Sequence, residues 1–480
     1  LDKKEIMVNN ACPQLKLLTE DQIQQVHKYA LQILFETGVR VDSPSVVEML
    51  RKTGQVKIQE RRVRFSTEIV EQAIQSAPSV IQMYDRCGNP IFRLGDDSLR
   101  FGVGVTALYY QEPASDDLVP FTRDHMRAMT QLGNSLPHYD VISTPGIVHD
   151  VPGKLSDLYG NLDMFANTTK TLVVLTSDEN QLAPLLTLFE RLHGDLGQKP
   201  FVMPYFNLVS PLVLNSGTLL KMKVSIERGI PFIFSNYSMA GASTPLTPAG
   251  ILAQLLAELL AGLTISQVMK PGTPISIGML PAYLDMKTML NFYDPQSVLI
   301  NIACAEMLAY YKLPHCGTSC SGMGWGMDLI AADLYWMNIL TYSLTKGGLV
   351  PFIGDGLGSK SISPCTVVHT HEIIDQALRF AAGFQLDDTQ AALDEIAKVG
   401  PGGNFLSSPT TLKHYKTGYY ISPLYPRWNM EKWRKAGQPD TKRILREKTQ
   451  SLMEVKSTPE DSVSLLRKGE EYIKSLSFGE

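Results

Sequence analysis

The sequence carries no surplus of charge. Lys and Arg together number 44 and Asp and Glu 48, a net charge of −4. There is no basic field to draw in nucleic acid, and nothing in the balance favours an anionic lipid surface. Cysteine is scarce: Cys12, Cys87, Cys304, Cys316, Cys320 and Cys365 are the six in 480 residues. That density builds no disulfide scaffold and fits reduced thiols, so a cytoplasmic location is expected. Residues 1–10 are charged and polar with no apolar stretch, so no signal peptide is expected; the missing initiator Met leaves room for a few earlier residues. The most apolar run, 251–269, contains Gln254, Glu258 and Gln267. A membrane span would be penalised heavily for Glu258, so the run reads as a buried helix and no membrane association is expected. Low-complexity tracts and convincing sequence repeats are also missing.

What is present is a rhythm. From residue 98 onward, short strand-like runs alternate with helical ones. Strands are expected at 99–105, 139–144, 171–176, 201–207, 232–236, 275–279, 315–319 and 349–354. Helices are expected at 123–133, 155–167, 179–193, 217–228, 249–269, 295–311, 329–345 and 366–384. Eight strand-then-helix units predict an α/β fold, a (β/α)₈ TIM barrel. The alternative, an open doubly wound sheet, usually carries a glycine fingerprint at its first turn, and Gly102-Val103-Gly104 is only a fragment of one. Before the barrel, helices are expected at 20–37, capped by Thr19 and stopped by Gly38, at 43–52 and at 67–76, with one extended piece at 62–65. After it come a helix at 389–399, a break at Gly400-Pro401-Gly402-Gly403, an aromatic-rich loop and a charged helical tail at 440–474. The expected division is an N-terminal helical flank (1–97), a catalytic barrel (98–385) and a C-terminal helical extension packed on it (386–480).

A series of strings resembles the trimethylamine methyltransferase family. In order they are ALQILFETGV (30–39), FGVGVTALYY (101–110), YYKLPHCGTSCSG (310–322), VGPGGNFL (399–406) followed by Thr410-Thr411-Leu412, and WRKAG (433–437). The glycine-rich tail is the most specific of them. The resemblance implies corrinoid-dependent methyl transfer, from a nitrogen to the cobalt of a separate corrinoid protein. Trimethylamine enzymes of the family place pyrrolysine in the barrel, whereas this chain has standard residues throughout 316–325. That departure implies the pyrrolysine-free branch, associated with quaternary amines such as glycine betaine, proline betaine, carnitine and butyrobetaine. Glycine betaine is the leading expectation.

The chemistry suits a chain without a catalytic triad. A quaternary ammonium leaves as a neutral amine, so no general acid is needed to expel it. The protein's task is positioning and desolvation, with the cobalt nucleophile brought by the partner. The ammonium calls for aromatic faces, each contributing about 0.5–2 kcal/mol. Candidates at strand ends are Tyr109, Tyr110, Tyr205, Phe206, Tyr237, Trp325 and Phe352, any of which can instead simply pack. A betaine carboxylate needs a donor, for which His149, His315, His369, His371, Asn207 and Asn236 are candidates. His369 and His371 would share a face on a strand and diverge at a helix start. The loop after the eighth strand offers Gly354, Asp355, Gly356 and Gly358 to substrate or corrinoid, or is a plain tight turn. Its spacing fails the P-loop pattern.

Two other functions remain open on these residues: a non-catalytic betaine- or corrinoid-binding barrel, and a zinc-dependent methyltransferase using another donor. For the latter, His315, Cys316 and Cys320 lie close in sequence but lack a fourth ligand, so no directly bound metal is expected. The expected partners are the corrinoid protein and the quaternary amine. A homo-oligomer is neither required nor excluded.

Overall fold

The computed structural model describes residues 10–318, 322–345, 347–455 and 457–476. Eight strands pair in parallel: β1 (Arg100–Val103), β2 (Val141–Ser143), β3 (Thr171–Val174), β4 (Val202–Asn207), β5 (Phe232–Ala240), β6 (Ile275–Leu284), β7 (His315–Cys316) and β8 (Leu349–Ile353). Each is hydrogen-bonded to the next, and β8 pairs with β1, so the sheet closes on itself. A helix follows every strand: α1 (Arg123–Ser135), α2 (Ser156–Asn167), α3 (Leu182–His193), α4 (Ser216–Glu227), α5 (Pro248–Met269), α6 (Pro295–Tyr310), α7 (Leu329–Ser343) and α8 (Pro364–Ala381). This is the expected (β/α)₈ barrel, with helix ends within a few residues of their expected places. The expected strand at 315–319 is described only as far as Thr318, and Ser319 and Cys320 lie outside the described residues.

Two strands run longer than expected. β5 and β6 stay paired from Phe232↔Ile275 to Ala240↔Tyr283, well past the barrel rim. Asn291–Phe292 then folds back antiparallel on the end of β6. The N-terminal section also holds more strand than its helical pattern suggests. Val39–Val41, Val56–Gln59 and Arg62–Phe65 form a sheet completed by Val213–Leu214 from the loop after β4. These segments are short, and their alternation is readable only once a neighbour supplies the pairing.

A hairpin of Ile81–Tyr84 and Pro90–Leu94 decides which end of the barrel is open. Its Ile81, Met83, Phe92 and Leu94 are buried together with the barrel-axis residues Val141, Val173, Met203, Ile233 and Leu349. The N-terminal end is thus plugged with apolar side chains. The C-terminal ends of the strands remain for a site, as in barrels generally.

Among the described residues, α5 is the one helix long and apolar enough to cross a membrane, and it is almost wholly buried within the fold. The helices Glu20–Gln32 and Thr67–Ser76 cover its outer face, which is why it lacks a polar stripe. Its Gly262 lies against Phe234 of β5, where a Cβ would come within 2.0 Å of Phe234 Cε1. Glu258, its buried acid, is tied down completely. Its carboxylate accepts from Leu212 N (2.9 Å), Ser210 Oγ (2.7 Å), Asn236 Nδ2 (2.9 Å) and Gln254 Nε2 (3.1 Å). It thereby fastens the loop after β4 to β5.

Gly262→Val should overpack the α5–β5 contact at a cost of about 1–3 kcal/mol, lowering the thermal midpoint. A pH effect is expected at Glu258. Burial pushes its carboxyl above the ordinary 4.5, the hydrogen bonds opposing only part of that. Between 4.5 and the raised value the folded state holds the extra proton, so stability falls as pH rises through that window. Melting curves against pH should show this slope in the wild type and lose it in Glu258→Gln.

Candidate functional site

The strands' C-terminal ends enclose a cavity of about 230 Å³. Four aromatic rings stand in its wall: Tyr205 of β4, Tyr237 of β5, Phe352 of β8 and Tyr293 of the loop before α6. Tyr205 and Phe352 meet edge to face, with centroids 4.7 Å apart and planes at 88°. Polar groups in the wall come from Thr106, Asn207, Thr318, Asp355 and Ser359. Among the described residues lining it, Asp355 alone is an ionisable carboxylate and no Lys, Arg or His is present.

Asp355 is held by the loop that follows β8. Asp355–Gly356 and Ser361–Ile362 form a tiny antiparallel hairpin, and the second strand pairs with Tyr109–Gln111. Tyr335 of α7 donates its hydroxyl to Asp355 Oδ1 (3.0 Å) and Ser359 donates to Oδ2 (2.7 Å). Gly354 makes the turn into this hairpin at φ +119, where a Cβ would also strike Val367. The loop thereby places the Asp355 side chain in the cavity wall.

A second network lies at the cavity floor. Ser235 Oγ is 2.5 Å from the Tyr205 hydroxyl and also hydrogen-bonds Asn207 Oδ1. One hydroxyl hydrogen cannot serve both, so Tyr205 donates to Ser235 and Ser235 to Asn207. That chain fixes the Asn207 amide with its NH₂ end turned away from Ser235. Burial pushes the Tyr205 hydroxyl well above its ordinary range, so it stays protonated as a donor.

Of the residues expected from sequence, Tyr205, Asn207, Tyr237, Phe352 and Asp355 come together in this cavity. Tyr109, Trp325 and Gly358 instead line a larger outer cavity of about 690 Å³ at the barrel mouth, with Leu118, Leu290 and Met323. Trp325 is 77% exposed there. Tyr110 is buried, stacked on His125 at 4.1 Å, while Phe206 packs on Phe232 and Phe234 and also lines a neighbouring cavity beside Tyr205 and Asn207. Gly354 and Gly356 are buried in the loop's own frame.

His369 and His371 sit within α8, not on a strand. His369 Nδ1 meets the Tyr425 hydroxyl at 2.8 Å, and the His371 ring lies tilted against His138 and Tyr139. Burial holds both imidazoles down to about 4, hence neutral, away from either cavity. His149 faces the Phe121 carbonyl, His315 that of Leu313, and Asn236 is turned outward onto α5. His315 and Cys316 are adjacent on β7 and project to opposite faces, so they cannot share an ion. Cys316 faces the barrel axis with its thiol pushed up to about 12 by burial. Cys320 lies outside the described residues, and among those described no three His, Cys, Asp or Glu side chains form a metal cluster.

The sequence reading missed Tyr293. It directly precedes Asp294, whose side chain caps α6 through Ser297 N (2.8 Å). An aromatic at the end of the sixth strand–loop segment was the available signal.

Comparison with known proteins now has a geometry to meet. The family model for trimethylamine methyltransferase (MTTB) matches residues 2–474. The glycine betaine methyltransferase of Desulfitobacterium hafniense is 27% identical over 441 residues, covering 88% of this chain and 89% of that protein. The proline betaine:corrinoid methyltransferase of Eubacterium limosum is 23% identical over 443 residues, covering 86% and 87%. The trimethylamine methyltransferase MttB of Methanosarcina barkeri is 23% identical over 452 residues, covering 92% and 91%. Among solved structures, the monomethylamine methyltransferase of Methanosarcina barkeri superposes with a TM-score of 0.51 at 11% identity, covering 97% of this chain and 90% of that one, which is a likeness of fold. With a family model spanning nearly its whole length, the chain belongs to the trimethylamine methyltransferase family and is an enzyme of the methyltransferase class.

Proposed function

We propose that this protein takes a methyl group from a quaternary amine, glycine betaine first among candidates, and delivers it to a separate corrinoid protein. The observation that carries this reading is the inner cavity: four aromatic rings and one carboxylate, with no cationic side chain among the described residues lining it. That composition favours a ligand bearing a fixed positive charge. Its modest volume suits a small one. Similarity to enzymes named for glycine betaine and proline betaine supports the same choice.

The residues divide the work. Tyr205, Tyr237, Tyr293 and Phe352 give their ring faces to the trimethylammonium and exclude water. Asp355, oriented by Tyr335 and Ser359, places its carboxylate beside it. In a site of low polarity that attraction outweighs its value in water. No side chain has to protonate the leaving amine, which is consistent with a wall without histidine or lysine among the described residues lining it.

The outer cavity fits a corrinoid presented by a partner. Its wall is largely apolar, includes Gly322, Gly324 and Gly358, and exposes Trp325 and Leu290 at the surface. A broad apolar disc can lie against such a face, with Trp325, Leu290, Leu118 and Gly358 as the residues that would hold it. When bound, the corrinoid supplies the Co(I) nucleophile.

The direct test mixes the enzyme, glycine betaine and a corrinoid protein reduced to Co(I). The expected result is dimethylglycine together with the absorbance change of a methylated corrinoid. No change with any of several betaines would overturn the proposal. The cage has its own check. Tyr237→Leu and Phe352→Leu should each weaken glycine betaine binding by about 2- to 30-fold in calorimetry, the range that loss of one cation–ring contact allows.

A further inference from the structure

Beside the aromatic cavity lies a second one, of about 300 Å³, between the end of β3 and the start of α4. Leu175, Tyr205 and Asn207 line both. The second differs in kind: its wall is mostly polar and includes a lysine, Lys221 of α4, as well as Glu179.

Lys221 is an ammonium with unused capacity. It donates to the Thr176 carbonyl at 2.7 Å. It forms no ion pair among the described residues, although Asp157, Glu179 and Asp178 are near enough to be felt. Asp157 uses its carboxylate on the backbone amides of Ser177 (2.7 Å) and Asp178 (3.2 Å). Glu179 lies against the first turn of α4, where a Cβ on Gly217 would come within 2.9 Å of its carboxyl carbon. Burial outweighs those charges and lowers the pKa of Lys221. An ammonium has three donors, and one is accounted for.

One further donor borders the same space. Asn207, its Oδ1 engaged by Ser235, has its NH₂ end left over, and its side chain borders both cavities. A cation and an amide N–H together suit a carboxylate.

We infer that Lys221 and Asn207 form the subsite for the substrate's carboxylate, next to the aromatic cage that takes its ammonium. This rests on the cage reading and deepens it. The site would select zwitterionic betaines over simple quaternary cations, with Lys221 as the specificity-determining residue.

The test separates the two readings by using two ligands on the full-length chain. Calorimetric binding of glycine betaine and of tetramethylammonium, which has the cation but no carboxylate, is measured for the wild type, Lys221→Met and Lys221→Arg. No corrinoid is required. Lys221→Met should weaken glycine betaine about 10- to 100-fold, the loss of a charge-assisted contact, and leave tetramethylammonium within about threefold. Lys221→Arg should recover part of the betaine affinity. Equal weakening of both ligands, or of neither, would overturn the subsite while leaving the cage standing. If the wild type bound neither ligand, the cage reading would fall with it. Melting curves of each variant verify that it is folded before binding is compared.

Discussion

The hydrogen bonds between β8 and β1 close the sheet, and the site depends on that closure. Leu349 and Val350 pair with Arg100 and Phe101, and after a bulge Ile353 pairs with Val103. A closed parallel sheet has no free edge, and its strand ends converge on one rim. Residues more than 140 positions apart, such as Tyr205 and Phe352, can then meet at 4.7 Å. The bulge in β8 comes just before Asp355, and a shift of register there re-aims the chain that follows.

The rest of the molecule keeps that rim free for chemistry. The N-terminal hairpin fills the opposite end with apolar side chains. Helix α5, covered on its outer face, carries one acid, and that acid secures the loop after β4 rather than meeting solvent. At the rim itself the polarity is partitioned. Among the described residues, an aromatic cavity with one carboxylate adjoins a polar one with a lysine and a glutamate, while the outermost surface, around Trp325, is apolar. A zwitterion entering a barrel and a large partner approaching its mouth would make those three demands in that order.

Much of the fold could be read in the chain. The eight strand-then-helix units matched because short apolar runs and helical periodicity are local properties. The parts that went unread are non-local. The continuation of β5 and β6 past the rim depends on each having the other as a partner. The N-terminal strands depend on Val213–Leu214, contributed from beyond β4. At the site, Tyr205, Asn207, Tyr237, Phe352 and Asp355 were found by looking for aromatic and polar residues at strand ends. The same rule also picked out Tyr110, which stacks on His125, and Phe206, which borders the second cavity rather than the aromatic one. Neighbouring strand residues point to opposite faces, so a shift of one position separates cavity from packing.

The sequence by itself determined the repeat of strand and helix and, through its glycine-rich tail, the family. Those rest on composition, periodicity and short strings, each contained within a few residues. Only the tertiary structure decided which aromatics share a cavity, that His369 and His371 belong to a helix away from it, and that Tyr293 and Lys221 border the two chambers. The physical reason is that a ligand cavity is defined by side chains from separate strands and loops, and their directions are set by barrel register and closure, which no single segment encodes.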